Sequence, residues 1–330
     1  MINTSANLNP RIFEPDIEQV PSRNGFGEGL VLAAEADDNV VGLCADLVES
    51  TRMQAFAEKF PNRFFEVGVA EQNLVTVAAG LAHEGKIPFT SSYATFSPGR
   101  NWEQIRTTIC YNNVPVKIIG SHAGLSVGPD GATHQALEDI AIMRALPNMV
   151  VISPVDSLEA KKATLAIAKF KKPCYLRLSR EKVPVVTTED SPFEIGRMEV
   201  FYEGTDATII ATGEMVRKAL LAAEELKSHK ISVRVINCHT IKPIDKKTIL
   251  QAASEIGAIV TVEEHQITGG LGGAVAEVLS QNYPVPLKII GIEDCFGESG
   301  PPSELLEKFG LTKEAIIKAV TSVLRMKEKR

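Results

Sequence analysis

Apolar and polar positions along this chain follow two periods, and the chain switches repeatedly from one to the other. Val40-Val41-Gly42-Leu43-Cys44-Ala45, Phe64-Phe65-Glu66-Val67, Ile87–Tyr93, Val114-Pro115-Val116-Lys117-Ile118-Ile119, Met149-Val150-Val151-Ile152 and Cys174-Tyr175-Leu176-Arg177-Leu178 are short apolar runs, as in strands buried on both faces. Helical spacing fills the intervals: near Gly25–Ala36; from Glu71, with Leu74, Val75, Ala78, Ala79 and Leu81 on one face and Gly85 as the stop; over Arg100–Tyr111; at Leu137, Ile140, Ala141 and Met143; and over Ser157–Phe170, with Asp156 as cap. Such alternation predicts a parallel sheet with helices on both faces.

Glu181–Gly196 breaks the pattern with two prolines, two threonines and several charges, and reads as a linker. A second series follows, with strands at Ala207–Ala211, Ser232–Cys238, Ala258–Val262 and Leu287–Ile292. Its helices lie near Met215–Ser228, Lys246–Ile256 and Leu271–Gln281, with a last one from about Thr312. The fold class is therefore α/β: two consecutive doubly wound domains with mostly parallel sheets. An extended arm covers 1–21, a first domain 22–185, a linker 186–196 and a second domain 197–330. A chain of 330 residues is long enough for two cores.

Composition narrows the function. The formal charge of −6 comes with no sustained basic run, which argues against nucleic acid and membrane surfaces as partners. No apolar run is long enough to span a bilayer, and the polar start lacks the apolar core of a signal peptide. Five cysteines without CxxC spacing suit reduced thiols in the cytoplasm, and the six histidines are scattered rather than set as metal ligands.

Chemistry concentrates in the strand-to-helix loop Ser121-His122-Ala123-Gly124-Leu125-Ser126-Val127-Gly128-Pro129-Asp130-Gly131-Ala132-Thr133-His134-Gln135, with two histidines, an Asp and three glycines. Open α/β sheets place binding sites in such loops. A polar turn explains Pro129 to Gly131 but not the histidines. Glu71 opens a helix, where dipole electrostatics alone would account for it; its neighbours Val67, Val69 and Ala70 are apolar, and an acid among such residues can hold or share a proton. Arg177 and Arg180 end a strand near the same edge, suited to a phosphate or to surface ion pairs. Tyr93 and Phe96 suit an aromatic wall or the core. Thr268-Gly269-Gly270-Leu271-Gly272-Gly273 lacks GxGxxG spacing and reads as a close-packing turn.

In combination these residues resemble a known family. Glu66-Val67-Gly68-Val69-Ala70-Glu71-Gln72, Tyr93-Ala94-Thr95-Phe96, Gly128-Pro129-Asp130-Gly131-Ala132-Thr133-His134-Gln135, Leu146-Pro147-Asn148-Met149 and Leu178-Ser179-Arg180 resemble, in order, the pyrimidine-binding domain of transketolases. The second half resembles their C-terminal domain, so the likeness covers nearly everything after residue 21. The pyrophosphate-binding domain with its Gly-Asp-Gly…Asn metal motif has no counterpart in the sequence. The resemblance thus implies the C-terminal subunit of a split, thiamine-diphosphate-dependent transketolase. Its N-terminal partner would hold Mg2+ or Ca2+, and the assembly would be a dimer of heterodimers acting on phosphosugars.

The family implies a role for each matching position. Glu71 would bond the aminopyrimidine ring nitrogen and favour the imino tautomer that removes the thiazolium proton. Tyr93 and Phe96 would line the aminopyrimidine pocket, and Asp46 would lie near the cofactor and the donor's first carbons. Asp130 and His134 would bind sugar hydroxyls, with His134 also near the reacting carbonyl. Arg23, Ser50, His122 and Arg180 fall where the sugar phosphate binds. Three features depart from the pattern. His122 precedes Ala123-Gly124 where 1-deoxyxylulose-5-phosphate synthase has an Arg, Arg177 is similar to one of that enzyme's paired arginines, and Gly99 stands where a third aromatic ring is common. That synthase and the beta subunit of a 2-oxo-acid dehydrogenase are the competing enzyme readings. A non-catalytic protein that kept the fold is the remaining one, and the presence of Glu71 and His134 counts against it.

Overall fold

The computed structural model describes residues 1–329. The first series forms a seven-stranded sheet in the order Thr240–Lys242, Val150–Ile152, Cys174–Arg177, Lys117–Ser121, Ile87–Tyr93, Val40–Cys44, Phe64–Glu66. Every neighbouring pair is parallel except the outermost, Thr240–Lys242 against Val150–Ile152. That strand comes from the second half of the sequence, so the second half completes the first sheet. The second sheet has five strands in the order Leu287–Ile292, Ile259–Gln266, Ala207–Ala211, Val233–Asn237, Glu199–Tyr202, and only the last is antiparallel. One apolar core runs through both, with Leu43, Ile118 and Val151 from the first and Ile210, Ile236 and Ile259 from the second.

Glycine decides how the first layer closes. Helix Ser22–Ala36 lies on helix Ser157–Lys169, and a Cβ at Gly25 would meet the Ser157 carbonyl oxygen at 1.7 Å. Only a residue without a side chain lets the two backbones come this close. The helix starts at Ser22 rather than near Gly25, because the Ser22 hydroxyl accepts from the Ser179 amide at 2.8 Å and pins the helix to the strand end bearing Arg180. Asp156 caps the second of these helices as expected, accepting from Glu159 N at 2.9 Å.

Two segments outside the main pattern are held down. The arm packs onto the second sheet: Ile12 and Ile17 are buried in its core, and Asn3 N donates to Phe201 O at 3.0 Å. The linker between the halves is held as well. Lys182–Pro184 pairs with Gln19–Pro21, and Thr187 is buried with its amide and hydroxyl on Asp156 at 2.6 and 2.8 Å. The buried carboxylate needs those donors, and this holds the segment down. The turn before helix Leu271–Asn282 packs closely as read: Glu263 accepts from Leu271 N and Gly272 N at 2.6 and 2.7 Å, and a Cβ at Gly270 would strike that carboxylate at 2.0 Å. Among the described residues no helix is long and apolar enough to cross a membrane.

Candidate active site

The carboxyl ends of the first sheet's strands carry most of the side chains singled out above. Tyr93 ends one strand and His122 follows the next; their rings stack at 3.9 Å between centroids. Phe96 lies 6.0 Å from Tyr93 and 5.3 Å from His134, so two aromatic rings and two imidazoles form one wall. His122 has φ +56°, a left-handed conformation uncommon outside glycine that the strand end imposes.

Charge sits against this wall. Arg23 Nη1 lies 3.0 Å from His122 Nε2 and donates to the Ser50 carbonyl at 2.7 Å. Guanidinium nitrogens only donate, so Nε2 accepts, and Nδ1 carries the proton toward Ser121 Oγ at 2.8 Å. Burial, and then Arg23, Arg180, His134 and Arg52, push the His122 pKa down to about 3. It is a neutral ring between cations. Arg180 Nη1 donates to the Val127 carbonyl at 2.7 Å and to Asp130 at 3.2 Å, and the Arg180 side chain stays 30% exposed. His134 Nδ1 is 2.9 Å from Thr133 Oγ1.

Glu71 is buried at the start of helix Glu71–His83, and both its oxygens accept from Arg100 Nη1, at 3.0 and 3.2 Å. The Arg100 guanidinium also sits 4.2 Å from the Phe96 ring centroid, which ties the acid to the aromatic wall. The apolar flank is not the enclosure the sequence suggests, since Val69 is 69% exposed. Arg100 was missed, lying at the start of an expected helix; the signal was its place four residues after Phe96. That helix runs as Trp102–Gln104 followed by a π-helical Ile105–Tyr111. Gly99 has no room for a third ring, because a Cβ there would meet Thr95 O at 2.0 Å.

Asp46 stands at the neighbouring strand end with φ +58°, its amide held by Glu66 Oε1 at 2.7 Å. Ser50 reaches Arg23 through its carbonyl. Arg177 is not brought to the cluster. Its guanidinium is buried and committed to Asp139 Oδ2 at 2.9 Å and the Glu264 carbonyl at 2.8 Å, and a strand's inward-facing residue has no route to the pocket. Its expected part in substrate binding finds no support in this geometry.

Residues 18–186 match the family model of the transketolase pyrimidine binding domain, and residues 196–316 that of the transketolase C-terminal domain. The chain belongs to the transketolase family. A putative transketolase C-terminal section from Methanocaldococcus jannaschii is 48% identical over 306 residues, which cover 92% of this chain and 96% of that one. A 6-deoxy-6-sulfo-D-fructose transketolase subunit from a Clostridium species is 42% identical over 96% of this chain and 98% of its own. Among solved structures, a split gene transketolase described as an inactive beta4 tetramer superposes with a TM-score of 0.88 at 47% identity, covering 93% of this chain and 99% of that chain. The transketolase fold thus accounts for both sheets and for the order of the motifs on them.

Proposed function

We propose that this chain is the C-terminal subunit of a two-chain transketolase that moves a two-carbon ketol unit between phosphosugars with thiamine diphosphate. One observation carries the reading: relatives that are themselves a C-terminal section or a split-gene chain are matched over 96% and 99% of their own length. The partner would be an N-terminal, pyrophosphate-binding subunit holding Mg2+ or Ca2+, in a cytoplasmic dimer of heterodimers.

The residues present suit one end of the cofactor. Tyr93 and Phe96 offer flat faces for an aminopyrimidine, and the Glu71 carboxylate stands beside them through Arg100. Among the described residues no cluster of His, Cys, Asp or Glu could hold a metal, so the diphosphate and its cation are assigned to the partner. When bound, the cofactor would supply an electron sink for the electron pair left on the donor's former carbonyl carbon. Glu71 holds the proton on the ring nitrogen once Arg100 yields its place. Asp46 faces the same edge near the donor's first carbons. Arg23 and Arg180, with neutral His122 and Ser50, receive the sugar phosphate through charge-assisted bonds. Asp130 and His134 bind sugar hydroxyls, and His134, oriented by Thr133, can take or give a proton at the reacting carbonyl oxygen.

The test is calorimetry of the purified chain with magnesium and thiamine diphosphate, with and without the candidate partner. Neither tight binding nor ketol transfer is expected without the partner. Stoichiometric cofactor binding or turnover by this chain alone would overturn the two-chain reading.

A further inference from the structure

The loop that bears His122, Asp130 and His134 is held from below by the second half of the molecule. Ser126 donates its amide to Glu264 Oε1 at 2.6 Å and its hydroxyl to Oε2 at 3.3 Å. Gly124, at φ +92°, leaves the space this carboxylate fills: a Cβ there would lie 2.3 Å from Glu264 Cδ. Glu264 is buried at the end of strand Ile259–Gln266, and its own carbonyl is held by Arg177 Nη2 at 2.8 Å. A second carboxylate, Glu214, leads into helix Met215–Ser228 and lines the same small cavity as Glu264; its Oε1 has no hydrogen-bond partner among the described residues. The two acids border a cavity of about 20 Å³ with Ala123, Ser153, Arg177, Ser179 and Thr212.

We propose that Glu264 is a positioning residue for the candidate active site, fixing the loop from Gly124 to Asp130 through a proton it shares with Glu214. Two carboxylates lining so small a cavity sit together best while one is protonated, because neighbouring like charges disfavour double ionisation. Arg177 faces the pair from strand Cys174–Arg177 and is itself engaged by Asp139; Lys218 and Glu181 lie near Glu214; Glu263 and His265 flank Glu264 on its strand. One guanidinium, already partnered, does not neutralise both acids. Burial first, and then Glu214, push the Glu264 pKa up to about 8, and burial raises Glu214 as well. A raised carboxyl gives its full contribution below the unfolded carboxyl value and loses it as pH rises through the folded value, so the clamp weakens through neutral pH and is released by about 8.

The inference rests on the proposed function only for what the loop carries; the clamp itself is measured without it. Hydrogen exchange of the peptide covering 122–131, corrected for intrinsic rates, is followed at pH 6.5 and pH 9 on the full chain, with strand Ala207–Ala211 as the fold reference. Wild type should lose about tenfold in protection between the two pH values. Glu264→Gln keeps the acceptor for Ser126 N without the titration, so its protection should stay high at both, and Glu214→Gln should flatten the profile too. Glu264→Ala should be unprotected at both. In the assembled enzyme, Glu264→Ala should raise KM for phosphosugars about tenfold with kcat within about threefold, and Glu264→Gln should restore KM. Loop protection in Glu264→Ala equal to wild type, or a wild-type pH fall in Glu264→Gln, would overturn the clamp. A loosened loop with unchanged KM would overturn its positioning role while leaving the cofactor reading of Glu71 intact.

Discussion

Arg177 and Arg180 lie three residues apart on one strand end, and their surroundings are opposite. Arg177 is buried between the two halves, and Asp139 and two carbonyls take its guanidinium. Arg180 stands at the edge with 30% of its side chain exposed; besides the Val127 carbonyl at 2.7 Å it meets only two loose, part-exposed carboxylates, Asp130 at 3.2 Å and Glu181 at 3.6 Å, so much of its fork stays open to an incoming anion. The same contrast holds for acids: Glu71 meets one half-exposed arginine that can swing away, while Glu264 is buried with both its oxygens taken by Ser126. Residue type does not separate a site from an internal brace. What separates them is whether the hydrogen-bonding capacity is already spent inside the chain.

The comparison is broken most directly at Glu71. With the partner present, Glu71→Ala should cost roughly 10²–10⁴-fold in turnover, the scale of general acid–base assistance, while folding stays intact. Deuterium exchange at the cofactor's reactive thiazolium carbon reads this step alone, and exchange as fast as wild type would remove Glu71 from the role. On the brace side, Arg177→Met strands Asp139, whose Oδ2 also accepts from Tyr175 at 2.7 Å, and should cost roughly 3–5 kcal/mol in urea unfolding. A loss below about 1 kcal/mol would put Arg177 among ordinary surface residues. Arg180→Ala should do the reverse. Stability should move by about 0.5 kcal/mol or less, and phosphosugar binding should weaken by roughly 1.5–3 kcal/mol. Unphosphorylated sugars should bind nearly as before, and equal losses on both would place Arg180 outside the phosphate site.

The strands and the helices between them were legible because apolar runs and helical spacing are local. Ile87–Tyr93, Ala207–Ala211, Leu287–Ile292 and Met215–Ser228 stand where the pattern puts them. Thr240–Lys242 was not, since a three-residue edge strand is defined by its partner Val150–Ile152, ninety residues away in sequence, rather than by its own period. The cluster of Tyr93, Phe96, His122 and His134 was legible because the first two stand at and just past one strand end and the histidines lie in the loop after the next. The partners that decide how each one acts were not: Arg100 on Glu71, Asp139 on Arg177 and Glu264 under Ser126 are set by tertiary packing. How the arm packs was not legible, because isolated apolar residues such as Ile12 and Ile17 carry no period, although both are buried.

The smallest expected effect sharpens the contrast through two histidines. His122 and His239 are both pushed down, to about 3 and about 4, but for different reasons. For His239, its ring tilted against Phe193 with centroids 4.3 Å apart, burial is the whole cause; for His122, burial is joined by Arg23, Arg180, His134 and Arg52. A histidine whose folded pKa lies below its unfolded value stays neutral while the unfolded chain takes up a proton. Each one therefore makes stability fall as pH drops from about 6.5, by up to ~2 kcal/mol at pH 5. His122→Asn and His239→Asn should each remove part of that fall, read by urea unfolding at pH 7.5 and pH 5. Adding inorganic phosphate separates them. An anion held by Arg23 and Arg180 offsets the charges that help keep His122 neutral, so phosphate should shrink the pH 5 loss in wild type and in His239→Asn. In His122→Asn phosphate should leave the remaining slope unchanged. A phosphate effect on the slope of the same size in both variants would mean that the anion does not bind beside His122, and the line drawn between open site and closed brace would have to move.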